Sequence, residues 1–209
     1  MSKGIEKDII CPHCEHSQKY TIYTYADSQK DIDLRQSILA ETLFDWRCER
    51  CNYFAGMVYP IVFSNPENKY VVSLEPVGNM GNTNSINVPD GFLKRKVKNL
   101  AELKEKILIL DAGYYDVAME LVKDALCAII KSSYKVSRVH AYFSHENNDD
   151  LEFSVFLPGK KEPISHSTKV NVYQQSEDIL SALSYKEENK FTLVNARLAK
   201  KILQDYAEE

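Results

Sequence analysis

Apolar positions along the chain change period several times, and each change marks an element. Residues 5–10 read as a short strand. Residues 18–25, Gln18-Lys19-Tyr20-Thr21-Ile22-Tyr23-Thr24-Tyr25, have the Tyr- and Thr-rich composition of a second. Alternation along that strand puts Tyr23 and Tyr25 on one face, opposite Tyr20 and Ile22. From Asp31 to Leu43 the spacing of Ile32, Leu34, Ile38, Leu39 and Leu43 becomes helical, with Asp31 or Asp33 available as a cap. Phe44 to Arg47 reads again as a strand. A hairpin is predicted next, 57–63 and 69–74 flanking the turn Ser64-Asn65-Pro66-Glu67-Asn68, with Pro60 marking an edge or a bulge. Residues 78–91 hold four Asn and three Gly without periodicity, the composition of a loop or linker.

Helical signal dominates from 99 to 132. Asn99 is placed to cap a helix over 100–110, and Asp111-Ala112-Gly113 stops it, with Gly in its usual role after a helix end. A second helix is expected from Tyr114 to Lys131, its apolar stripe made by Val117, Leu121, Val122, Ala125, Leu126, Ile129 and Ile130. A short joint makes the two helices an antiparallel pair. The remainder predicts a hairpin (137–144 and 151–157) around Asn147 to Asp150 and a strand at 168–173. A short helix at 177–184, a strand at 190–194 and a helix at 196–206 follow. The fold class is α+β: an N-terminal ribbon carrying a helical insert, a helical hairpin and a C-terminal α+β segment. Domain organisation follows as a ribbon with its hairpin over 1–77, a loop or linker over 78–98, and the helical pair with the α+β segment over 99–209.

Composition adds little to this and excludes several classes. At 209 residues with 44% hydrophobic and 27% charged side chains, the chain is long enough to bury a core and ordinary for a soluble protein. The net charge of -4 gives no basic field to recommend nucleic acid as a partner. The start, Met1-Ser2-Lys3-Gly4-Ile5-Glu6, lacks the apolar core of a signal peptide, and no stretch approaches the ~20 apolar residues of a membrane span. A cytoplasmic location without membrane association is the expectation, and there cysteines stay reduced.

The chemistry lies in two cysteine pairs, Cys11-Pro12-His13-Cys14 and Cys48-Glu49-Arg50-Cys51, 33 residues apart. Two intervening residues let both sulfurs of a pair reach one ion at ~2.3 Å, so two such pairs supply a tetrahedral four-sulfur zinc site. The separation exceeds the 15–20 residues usual between such pairs, but closure entropy grows only with the logarithm of loop length. The expected cofactor is one structural Zn²⁺ per chain held by Cys11, Cys14, Cys48 and Cys51. Four protein ligands leave no open coordination position, so no catalysis is expected of the metal. His13 and His16 read as solvent-facing neighbours, and Cys127 as a small core residue of its helix.

Together, Cys11-Pro12-His13-Cys14, the short helix, Leu43-Phe44-Asp45-Trp46-Arg47-Cys48, Tyr59-Pro60 and the Asp111-Ala112-Gly113 joint resemble the CpXC family of bacterial proteins. The resemblance covers roughly residues 5–132. It implies a zinc-ribbon-like site on the same four cysteines and no particular activity. Glu49 stands where the family name would place a second Pro, which makes that turn less rigid and leaves the ligand pair intact.

Three rival readings are weighed against this. Cys-Pro-His-Cys also occurs in oxidising thiol-disulfide enzymes, where the first thiol opens a long helix. Here Glu15-His16-Ser17-Gln18 leads instead into a strand. A zinc deaminase needs His-x-Glu before Pro-Cys-x-x-Cys, and neither part is present. Lys94-Arg95-Lys96-Val97-Lys98 is the one basic run, readable as a phosphate-binding stripe or as a solvated approach to the Asn99 helix; the acidic balance of the ribbon favours the second. The function expected is a non-catalytic module that binds a protein partner or itself, with a nucleic-acid-associated ribbon as the alternative.

Overall fold

The computed structural model describes residues 4–78 and 87–208. It is an α+β protein with five helices and twelve strands among those residues. The chain divides into two compact units between Lys104 and Glu105.

In the first unit, β1 (Gly4–Ile10) and β2 (Ser17–Tyr23) form an antiparallel hairpin in unbroken register from Gly4↔Tyr23 to Ile10↔Ser17. After β3 (Tyr25–Asp27) and α1 (Ile32–Leu39), β4 (Asp45–Arg47) and β5 (Phe54–Gly56) form a second, shorter one. The remaining strands are β6 (Ile61–Asn65), β7 (Tyr70–Leu74) and β8 (Leu93–Val97). They lie beside β3 in the order β8-β7-β6-β3, antiparallel at the centre and parallel at both outer pairs. Every residue of β7 is buried, as expected of a strand covered on both faces.

Three expectations need correction here. The strand expected over 18–25 breaks at Thr24, so Tyr23 and Tyr25 lie in different sheets rather than on one face. Parallel pairing of Tyr25 with Val62 needs a long crossover, here α1 and the second hairpin, which local composition does not reveal. The strand expected from Met57 begins at Ile61: Pro60 has no N–H to give a ladder, and the Met57 N–H bonds Phe44 O at 2.7 Å. Finally, Lys94 to Val97 is neither linker nor solvated approach. Tyr70↔Leu93 to Leu74↔Val97 pairing draws it into the sheet with Arg95 fully buried. Of the loop expected over 78–91, residues 79–86 lie outside the described residues.

Helix α2 (Leu100–Asp111) crosses the boundary between the units. Its N-terminus is closed as expected: Asn99 Oδ1 accepts the Glu102 N–H at 2.9 Å, and Glu102 reaches back to the Lys98 N–H at 2.7 Å. Its C-terminus closes on Gly113 at φ +79°, with Tyr114 N–H bonded to Ile109 O and Gly113 N–H to Leu110 O.

The second unit continues with α3 (Asp116–Tyr134), β9 (His140–Asn147), β10 (Asp150–Phe156), β11 (Ile164–Lys169), α4 (Val170–Ala182), β12 (Thr192–Leu193) and α5 (Ala196–Glu208). Strands β11-β10-β9 form an antiparallel sheet whose first hairpin turns through Asn148 and Asp149, both at positive φ. The core joins Val117, Leu121, Val122, Leu126 and Ile130 of α3 to Ala141, Phe143, Leu151, Phe153 and Val155 of the sheet and to Tyr173, Leu180, Ala199 and Ile202 of α4 and α5. Ile129, expected on the α3 stripe, is instead 60% exposed. The strand expected at 168–173 ends at Lys169, and the helix expected from 177 already begins at Val170. Val170 and Val172 favour a strand locally, but packing overrides that preference. Tyr173 stacks edge-on to Tyr114 at 4.7 Å, and its hydroxyl accepts the Tyr115 N–H at 2.8 Å.

Candidate metal centre

The two short hairpins of the first unit turn through the two cysteine pairs. Both turns have one design. Cys11 N–H bonds His16 O and Glu15 N–H bonds Cys11 O; Cys48 N–H bonds Tyr53 O and Asn52 N–H bonds Cys48 O, all at 2.9 Å. The residue after each second cysteine adopts the left-handed conformation, Glu15 at φ +58° and Asn52 at +59°. That reversal sends the chain back along the hairpin with the sulfurs turned inward. It also aims N–H groups at them, His16 toward Cys14 and Tyr53 toward Cys51.

The four Sγ atoms converge, all within 4.8 Å of one another. Across the hairpins Cys11 Sγ stands 3.6 Å from Cys51 Sγ, and Cys14 Sγ 3.6 Å from Cys48 Sγ. A disulfide sets its sulfurs at ~2.05 Å. Four sulfurs around a zinc ion, by contrast, are separated by about 3.8 Å, the tetrahedral edge for a 2.3 Å bond. The spacing is that of ligands around one ion. Cys11 and Cys48 are fully buried against Trp46, with Ile9, Tyr20, Ala55 and Met57 packed around them, while Cys14 and Cys51 are half-buried. His13 stacks on Tyr53 at 6.1 Å, bridging the two turns, and neither His13 nor His16 joins the cluster.

Electrostatics fit a cation as well. Burial pushes the Cys48 thiol up, but the N–H groups of Cys51 and Arg50 and the thiols of Cys11 and Cys14 bring it down to about 7. Cys51 is lowered by the Tyr53 N–H, yet burial and the sulfurs of Cys14, Cys11 and Cys48 leave it at about 12. Cys14 is raised too: the His16 N–H lowers it, and burial with the Cys48 and Cys11 sulfurs outweighs that. The Cys48 thiol thus ionises most readily, the neighbouring sulfurs oppose ionisation of Cys14 and Cys51, and a cation among them would relieve that repulsion. The Trp46 indole Nε1–H is buried without a hydrogen-bond partner among the described residues, and the residue packs in one cluster with Cys11 and Cys48.

The basic run is placed elsewhere. Lys94 to Val97 forms β8, where Arg95 is buried and Lys96 pairs with Glu75 at 3.5 Å, so it offers no continuous stripe to phosphates. Cys127 packs against the second unit's core, half-buried. The pairing of Glu15 with Asn52 at positive φ went unnoticed in the sequence, because neither residue is the Gly that signals it. No helix among the described residues is long and apolar enough to cross a membrane.

No curated protein and no solved structure matches the chain significantly. A family model described as CpXC protein matches residues 9–123, which is more than half of the 209 residues and includes all four clustered cysteines. The chain belongs to the CpXC family.

Proposed function

We propose that Cys11, Cys14, Cys48 and Cys51 hold one structural Zn²⁺, that the two hairpins it joins are a zinc ribbon, and that the protein is a non-catalytic module binding a protein partner or a second copy of itself. The convergence of four sulfurs within 4.8 Å, drawn from two turns 33 residues apart in the chain, carries this reading. Zinc suits an all-thiolate tetrahedral donor set, and binding energy of about 10–16 kcal/mol in small zinc peptides is folding energy for hairpins with little core of their own. All-protein ligation leaves no place for substrate. Thiolate ligands need reduced cysteines, which supports a cytoplasmic setting. A partner-binding role is supported by exposed apolar side chains in and beside the hairpins, among them Ile5, Ile10, Phe54 and Val58.

Elemental analysis of the purified chain tests the metal: one zinc per chain is expected, retained in Cys127→Ser and lost in Cys48→Ser. Full zinc in Cys48→Ser rejects the assignment. Light scattering of the zinc-loaded chain, with pull-down of bound proteins, tests the role. A salt-sensitive affinity for DNA or RNA would replace it with the nucleic-acid reading.

A further inference from the structure

Two of the four cysteines are partly exposed to solvent and two are not. Cys11 and Cys48, the first of each pair, are fully buried; Cys14 and Cys51, the second of each pair, are half-buried. Each half-buried cysteine sets its sulfur against that of a buried one on the opposite hairpin, Cys14 to Cys48 and Cys51 to Cys11, both at 3.6 Å and within hydrogen-bonding geometry. We propose that the cluster is a modification site for hydroperoxides, in which Cys14 or Cys51 is oxidised and then closed onto Cys48 or Cys11, forming a disulfide across the hairpins and releasing the metal. The inference rests on the metal reading of the same site.

The chemistry balances. A thiolate at Cys14 attacks the peroxide: an S–O bond forms, the O–O bond breaks, and hydroxide leaves, giving a sulfenic acid. The Cys48 thiolate attacks that sulfur; the S–S bond forms, the S–O bond breaks, and a second hydroxide leaves. Two thiolates have given up two electrons and the peroxide has accepted them. Only two ligands of the original four remain, too few to hold zinc against a chelator.

The crossed contacts supply both partners of a bridge at 3.6 Å. Each pair has to close from 3.6 Å to ~2.05 Å to form the bond. A crossed bridge takes over the metal's job of joining the two hairpins, so Trp46 stays enclosed. A bridge within Cys11-Pro12-His13-Cys14 leaves them unlinked.

The full chain carrying Cys127→Ser, with zinc content measured at the start, is treated with excess hydrogen peroxide beside a chromogenic zinc chelator, and its disulfides are mapped by mass spectrometry after alkylation. Expected are release of one zinc per chain, peptides joined through Cys14–Cys48 or Cys11–Cys51, and recovery of zinc binding after dithiothreitol. Zinc retained through the treatment, a bridge within either pair, or irreversible sulfinic acid overturns the inference while leaving the metal reading intact. Starting protein without metal overturns that reading, and the inference with it.

Discussion

The Glu105 carboxylate accepts the Phe143 N–H at 2.8 Å with one oxygen and the Lys123 ammonium at 2.8 Å with the other. Strand β9 ends the sheet order β11-β10-β9, so a backbone donor on its open side needs a partner, and a buried side chain supplies it. Glu105, Lys123 and Glu120, which lies 3.1 Å from Lys123, are each less than a tenth exposed. Two carboxylates thus share one ammonium inside the second unit, and the Lys123 ammonium also lies over the Tyr142 ring at 5.8 Å. Replacing Lys123 with Met leaves both carboxylates buried without their cation. The expected cost is about 3–5 kcal/mol in denaturant unfolding followed by circular dichroism. Adding Glu105→Gln, which keeps an acceptor for the Phe143 N–H, is expected to recover part of that loss. A double variant no more stable than Lys123→Met alone would mean that the carboxylate is not what the lysine neutralises.

The same cluster sets an alkaline limit. Burial lowers the Lys123 ammonium's affinity for its proton, but the Glu105 and Glu120 carboxylates outweigh it and hold the group above its unfolded value of 10.5. A raised folded value contributes stability that is complete below pH 10.5 and lost as pH climbs past it toward the folded value. Glu105 is also raised, by burial first, with Glu120 adding and Lys123 opposing, so its ionisation costs stability rather than adding any. The tyrosines Tyr114 and Tyr173, raised by burial, share the lysine's sign. The melting temperature is therefore expected to fall above pH 10.5. The fall is expected to be shallower in Lys123→Met, and equal slopes in the two proteins would remove Lys123 from the account.

How much of this was legible in the sequence depends on how local the cause is. The Asn99 cap and the Gly113 stop were readable because each uses the residue its geometry favours. The same helix-ending geometry occurs at Glu41, Lys135 and Ser184, all at positive φ, where Thr42, Val136 and Tyr185 N–H groups bond back to Ser37, Lys131 and Leu180 carbonyls. Without Gly those ends send no signal. The β6–β7 and β9–β10 hairpins could be read from their turns, whereas β5, β8 and the separation of β3 from β2 were not foreseen; the parallel partners of β3 and β8 are set by distant packing. At the site, Cys-x-x-Cys spacing identified the four residues that cluster. It did not show that the first cysteine of each pair is enclosed and the second reachable, which follows from Trp46 packing onto Cys11 and Cys48.

Trp46 is the chain's one tryptophan and is 3% exposed, which makes it a reporter of the hairpins alone. Stripping metal with a chelator at neutral pH is expected to shift its emission to the red as the hairpins part. The helical circular dichroism is expected to persist, because the core from Ile109 to Ile202 uses no residue of the hairpins. A red shift reversed by zinc, with steady helicity, is the outcome that fits. Emission unchanged by metal removal would show that the hairpins hold together without an ion.

The two left-handed residues behind the cysteine pairs give the last test. An L residue pays a steric cost of roughly 1–2 kcal/mol at positive φ, and Asn tolerates the region better because its short amide bonds the local backbone. Glu15 stands at +58° and Asn52 at +59°, so the general preference for Asn in this region favours the second turn. Glu15→Gly is accordingly expected to raise the unfolding free energy of the zinc-loaded chain, measured by denaturant titration, by about 1 kcal/mol, and Asn52→Gly by less. Both changes keep all four sulfurs, so zinc content is expected to stay at one per chain. Since the turns are otherwise alike in their hydrogen bonds, the difference between the variants isolates the side chain's share of the strain. A destabilising Glu15→Gly would mean that the glutamate makes a contact worth more than the strain it carries.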